Sequence, residues 1–294
     1  MASHELYELL GEPVETDRRV LVHAFTGFLD AGSAGRLAVD HLLRTRPHRE
    51  LARFDADALL DYRARRPRME FRSDHFATID IPEIRLHEVT DADGRPFLLL
   101  EGPEPDYRWR AFVAAVADLV ERFDVRLVAG LAAVPWPAPH TRPMGITWHG
   151  TEADVLAAHP SALGDLEVPG HVGGMLELVL GGRGVPVVGL AAHVPHYLVQ
   201  FDYPRAVMTL LDALSEATGL ALPATELEPA AARADAEIAS QLAGNEEFQV
   251  VLATLERQYD DTQASLAEVP TADEIGAQVE QFLARMDERG AEED

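Results

Sequence analysis

Up to about residue 220, short apolar runs alternate with one-sided helical stripes, and this alternation constrains the fold more than any other feature. Residues 19–25 (RVLVHAF) form an apolar run that ends in a glycine-containing turn, as a buried strand does. Residues 51–54, 84–89 and 97–100 also read as strands. The last two are joined through Asp93-Gly94, a hairpin signal. Between them, residues 35–43 carry Leu37, Val39, Leu42 and Leu43 on a helical face. Residues 107–123 give the clearest helix, with Trp109, Phe112, Val113, Val116, Leu119, Val120 and Phe123 at i, i+3, i+4, i+7 spacing. A strand over 126–134, a helix over 172–180, a strand over 185–191 and a helix over 204–214 continue the pattern. Crossover helices return the chain to the same edge, so the expectation is an α/β domain with a mixed, mainly parallel sheet covered on both faces.

The pattern changes near 221–230, where Pro223 and Pro229 coincide with a shift in charge. Residues 221–294 hold 18 acidic side chains against 4 arginines; the preceding 220 hold 32 against 21. The expected division is therefore an α/β domain over 1–220 and an acidic helical extension of three helices over 221–294. Phe248, Val251, Leu252, Leu255 and Tyr259 make one stripe, and Ile275, Val279, Phe282, Leu283 and Met286 another. A helix with one apolar side must pack on something. Both docking on the domain and contact with a partner or second copy fit.

Two absences remove whole classes of chemistry. The chain has no cysteine, which excludes thiol catalysis, disulfides and thiolate metal sites. All 25 basic residues are arginine. Lysine Schiff bases and a Walker lysine are thereby ruled out, and no cofactor is expected. A net charge of −25 disfavours nucleic acid and anionic membrane surfaces as partners. There is no 18-residue apolar run and no charged-then-apolar leader, so a cytoplasmic location is expected.

Candidate functional residues gather where predicted strands end, the edge at which open α/β sheets bind ligands. Asp30 lies in the loop 26–35 (TGFLDAGSAG), where it could cap the first helix or face a ligand. The loop lacks both the P-loop lysine and the dinucleotide Gly-x-Gly. Arg63, Arg65, Arg66 and Arg68 form a basic spot that could bind carboxylate or phosphate, or pair with acids of this chain or a neighbouring copy. Glu101 ends a strand. His140 and Arg142 lie in the loop 139–143 (PHTRP), and His193 and His196 in 193–197 (HVPHY). Arg142 could hold an anion and a histidine could move a proton. The same residues could equally close strands and pair internally. His193 and His196 lack a third metal ligand at sensible spacing, and no Gly-x-Ser-x-Gly occurs.

Several segments, taken together and in order, resemble the proteasome assembly chaperone 2 family in its bacterial form. They are GFLDAG at 27–32, DYRARRP at 61–67, GPEP at 102–105, Arg108-Trp109, PHTRP at 139–143 and VPHY at 194–197, spanning roughly residues 19–215. The resemblance implies a three-layer α/β/α sandwich similar to purine nucleoside phosphorylases, without carrying their chemistry across. It also implies a protein-interaction or assembly role, a homo-oligomer (a trimer by the fold) and a possible proteasome-related partner. The family's eukaryotic namesake carries a C-terminal hydrophobic–Tyr–any tripeptide associated with α-ring docking. The last residues here, GAEED, do not, so docking through them is not expected. The alternative is a small-molecule-binding protein or enzyme using the strand-end loops on a nucleoside-like or carboxylate substrate.

Overall fold

The computed structural model describes residues 5–16, 19–161 and 163–267. In chain order the elements are β1 (Tyr7–Leu9), β2 (Arg19–Thr26), α1 (Ala34–Thr45), β3 (His48–Phe54), α2 (Ala56–Leu59), β4 (Arg68–Arg72), β5 (His75–Asp80), β6 (Arg85–Thr90) and β7 (Pro96–Pro103). There follow α3 (Trp109–Arg122), β8 (Val125–Trp136), β9 (Ile146–Gly150), α4 (Ala153–Ala158), α5 (Val172–Gly182), β10 (Val187–Pro195), α6 (Pro204–Thr218), α7 (Glu228–Leu242) and α8 (Glu246–Ala267). Each strand and helix expected before residue 220 is present. β1, β9, the β4–β5 hairpin and the short helices α2 and α4 are additional.

Eight strands form one sheet in the order β1-β3-β6-β7-β2-β8-β10-β9. Its centre, β7-β2-β8-β10, is parallel. The flanks β1-β3-β6-β7 and β10-β9 pair antiparallel. The sheet is therefore mixed, and the expectation of a mainly parallel one is corrected: a parallel core is extended on both sides by antiparallel strands. One cause is local. Gly94 adopts φ 85, and the Asp91 carboxylate accepts the N–H groups of Asp93 and Arg95, closing β6 on β7 as a tight hairpin.

Alternate residues of the central strands feed two apolar clusters, one per face. Val20, Val22, Ala24, Ala129, Leu131, Val188 and Leu190 pack with α1 and α6. Leu21, Leu98, Leu100 and Val128 pack with α3 and α5. The α3 stripe explains its docking: Phe112, Val113, Val116, Leu119 and Val120 are all buried, each worth about 1.5–3 kcal/mol of apolar transfer. Past residue 220, Leu222, Ala224 and Leu227 bury in the cluster of α1 and α6, and Ala231 of α7 is buried as well. α8 presents Leu255 as its buried residue, with Phe248, Leu252 and Tyr259 half-buried and Val251 exposed. The stripe from Ile275 to Met286 lies outside the described residues. Among the described residues no helix is long and apolar enough to cross a membrane.

Candidate functional site at the carboxyl edge of the sheet

The four parallel strands end together, so their following loops converge on one edge. β8 runs through Trp136 into the loop 137–145, and β10 runs through Pro195 into a tight turn over His196–Leu198. α8 lies across this edge, tied down by polar contacts. Arg142 donates from Nε and Nη2 to the two carboxylate oxygens of Asp260, both at 2.8 Å, and reaches Glu256 at 3.4 Å. The fork geometry of the guanidinium suits this bidentate pairing. Asp260 holds the Arg142 guanidinium above its ordinary value, and Arg142 holds the Asp260 carboxyl below its own. Thr141 donates to Glu256 at 2.5 Å, and the Tyr197 ring meets Phe248 edge-on at 4.9 Å.

Between the edge and α8 opens a cleft of about 940 Å³ whose walls include Trp136, Thr147, Trp148, His159, His193 and Tyr259. Two stacked pairs shape it. The Trp136 and His193 rings lie 3.8 Å apart at 9°, and the Trp148 and His159 rings 3.8 Å apart at 4°. The first pair follows from register, because parallel pairing sets His193 opposite Val134 and brings Trp136 alongside. The second forms because β9 returns antiparallel on β10 and delivers Trp148 to the sheet margin. Gly145 is required here, since a Cβ on it would lie 2.8 Å from His193 Nδ1.

The chemistry of the cleft favours holding over reacting. Thr147 Oγ1 and His193 Nε2 are 2.7 Å apart, a distance suited to a hydroxyl and its base. Burial, however, pushes His193 down to about 4, which makes it a weak base at neutral pH. Among the described residues no carboxylate bonds its other ring nitrogen, so the orienting third member of a triad is missing. Nor is there any group of three or more histidines and carboxylates placed to hold a metal ion. What remains is a cleft with two stacked π-faces, a hydroxyl and the neutral His193 imidazole, suited to a planar ligand.

The residues expected to form one strand-end site are dispersed. His193 lines this cleft, whereas His140 and Arg142 line a neighbouring groove of about 700 Å³ with Tyr203, Arg205 and Asp235. His140 is fixed by Tyr197, whose hydroxyl accepts the His140 backbone N–H and donates to Nδ1, both at 2.8 Å. Burial holds the His140 imidazole below its usual range and pushes Tyr197 up to about 12. His196 is exposed beside Tyr197. Asp30 caps α1, accepting the Gly35 N–H at 2.7 Å; its burial raises the carboxyl against that bond. Glu101 pairs with buried His87 at 3.1 Å within the sheet. Arg66 is exposed at the stem of the β4–β5 hairpin, and its neighbour Arg65 pairs with Asp106. Sequence reasoning missed Trp148 and His159. His193 was legible as a strand-end histidine, but its stacking partner Trp136 was not.

Comparison with known proteins places this arrangement. A Mycobacterium tuberculosis protein of unknown function, Rv2714, is 41% identical with a TM-score of 0.86, over 91% of this chain and 92% of that one. A PAC2 family protein from Streptomyces avermitilis MA is 32% identical with a TM-score of 0.69, over 81% and 99%. The Mycobacterium tuberculosis proteasome-assembly chaperone homologue Rv2125 is 27% identical with a TM-score of 0.73, over 80% and 99%. No curated protein sequence matches significantly. The PAC2 family model matches residues 24–242, from the first central strand through α7, so the parallel core, the strand-end loops and the helix behind them are those of a family fold, and the chain belongs to the PAC2 family.

Proposed function

We propose that the chain is an assembly-chaperone-like protein of the cytoplasm that works through protein contacts, as a homo-oligomer and, by the family resemblance, a trimer. The observation that carries this reading is the β4–β5 hairpin. It forms a two-stranded sheet of its own, and nearly every residue in it is exposed. Phe71 and Phe76 are 59% and 66% exposed, with Met69, Ile79 and Ile81 beside them. An isolated hairpin is marginal in water, and a contiguous apolar surface of this kind marks a contact site. Its stem carries exposed Arg63, Arg66 and Arg68 on a chain of net charge −25, so a second copy of the same acidic chain is a complementary partner. The relative described as a proteasome-assembly chaperone homologue supports a proteasome-related partner as well. We read the layered fold as the phosphorylase-like sandwich without its chemistry. Residues 221–294 are then a unit whose described part, α7 and α8, closes over the strand-end edge.

Native mass spectrometry of the full chain, alone and mixed with proteasome α-subunits, tests this. The expected result is an oligomer that the double substitution Phe71→Ser, Phe76→Ser reduces to the 32.2 kDa monomer. A wild-type chain that stays monomeric at micromolar concentration and leaves the α-subunits unbound would overturn it. The paired stacks Trp136–His193 and Trp148–His159 favour a second reading, binding of a planar small molecule in the cleft. Quenching of tryptophan fluorescence by a bound metabolite would reveal it.

A further inference from the structure

On the face of the sheet covered by α5, four adjacent strands place His23, Gly130, Gly189 and His149 side by side in one register row. A Cβ on Gly130 would lie 2.8 Å from His23 Cε1, and a Cβ on Gly189 would fall inside the His149 ring. The two imidazoles therefore lie over bare backbone, and glycine at both positions is what admits them. Above the row, α5 opens with Gly173-Gly174, where a Cβ on Gly173 would come within 3.4 Å of His23 Cε1. His171 caps this helix, its Nδ1 accepting the Gly174 N–H at 3.0 Å. These residues enclose a cavity of about 70 Å³, with Phe25, Leu29, Glu104 and Glu177 completing its wall. A water needs about 10–15 Å³ by the same kind of measure, so one small organic molecule fits.

The polar inventory of the cavity defines what could sit there. His23 is 6% exposed, and its Nδ1 has no partner among the described residues, which is rare for a buried nitrogen. His149 Nδ1 donates to Glu177 at 2.7 Å. His171 uses Nδ1 as an acceptor, so its proton is on Nε2. Glu104 accepts the Val172 N–H at 2.7 Å with one oxygen. Burial pushes His23 down to about 4 and holds His171 below its usual range, so both rings are neutral at pH 7. No arginine lines the cavity; Arg65, beside Gly27, is committed to Asp106. The wall thus carries two carboxylates, three imidazoles and neither arginine nor lysine. Among the described residues the histidines and carboxylates are not grouped closely enough to hold a metal ion.

We propose that this cavity binds a small organic cation, a primary ammonium or an amidinium, through the Glu104 and Glu177 carboxylates and an acceptor nitrogen of His23. Such a ligand gives the His23 ring, which makes no hydrogen bond among the described residues, a partner at Nε2 (Nδ1 being sealed), and it neutralises the acidic wall and fits the space. An anion would meet two carboxylates with no arginine or lysine to balance them. A purely apolar ligand would leave His23 unbonded.

The test titrates full-length protein with ethylammonium and acetamidinium, and with acetate and inorganic phosphate as controls, following the imidazole nitrogens by long-range ¹⁵N NMR. Saturable shifts of the His23 and His171 signals are expected with the cations alone. Glu177→Gln or Glu104→Gln should weaken the affinity about tenfold, the effect of removing one charged hydrogen-bond partner. Three results would overturn the proposal: no shift with either cation, equal or larger shifts with acetate or phosphate, or unchanged affinity in both variants. Should a variant fail to fold, the comparison of cations with anions on the wild-type protein still decides.

Discussion

Acidification gives a quantitative test of the buried face of the sheet. His23 is packed between β2, β8 and the start of α5, and its pKa is pushed down to about 4 from an ordinary 6.5. The main cause is loss of hydration. The neighbouring His171 and His149 push the same way, and only Glu177 opposes them. A histidine with a depressed pKa binds fewer protons folded than unfolded, so its stability contribution is complete above pH 6.5 and is lost as the pH falls toward 4. A gap of about 2.5 units corresponds to about 3 kcal/mol in total, of which about 2 kcal/mol disappears between pH 7 and pH 5. His193, also pushed down to about 4, adds to the same slope, so wild type alone does not isolate His23. Urea unfolding of wild type and His23→Gln at pH 7, 6 and 5 does. The variant starts less stable at pH 7, where it has lost the native ring packing against Phe25. Its stability should then fall by about 2 kcal/mol less than that of wild type on going to pH 5. Parallel profiles, within about 0.5 kcal/mol, would refute a neutral buried His23.

Two further perturbations probe how the edges of the sheet are held. Gly150 ends β9 at φ +134, and a Cβ there would collide with the Val187 carbonyl oxygen. Gly150→Ala should cost about 3 kcal/mol of strain and overpacking, loosen β9 from β10 and change Trp148 fluorescence; a melt matching wild type would count against that account. Leu255, 7% exposed, is a buried apolar side chain of α8. Leu255→Ala should cost about 2 kcal/mol, seen as faster amide exchange in α8 with the central strands unchanged; unaltered exchange in α8 would mean that the polar ties of Arg142 hold it alone.

Local pattern reached far along this chain, though not evenly. The residue 107–123 stripe named the side chains that bury α3, and Asp93-Gly94 named a hairpin, because both depend on neighbours a few residues away. The β4–β5 hairpin escaped because its local signal is short and lies beside the arginine cluster. Met69 and Phe71 do alternate with Arg68, Glu70 and Arg72, but the run is only five residues long and its apolar face packs on neither cluster of the main sheet. Arg142 and His140 were visible as polar residues in a strand-end loop, but their partners Asp260 and Tyr197 lie 118 and 57 residues away.

The sequence by itself determined the alternation of strands and helices, the absence of thiol and lysine chemistry, the acidic surface and the family. Each of these is set by residue type or by spacing within one turn or one strand. Only the tertiary structure decided which strands are neighbours, and with that the sites. His23 sits in an apolar run and Gly189 in another, and nothing local says that β8 will come between them or that β9 will bring His149 into the same row. The physical reason is that strand pairing buries backbone groups whose partners are the same for every residue type. The order of strands is therefore settled by how the side chains of the whole chain pack on both faces.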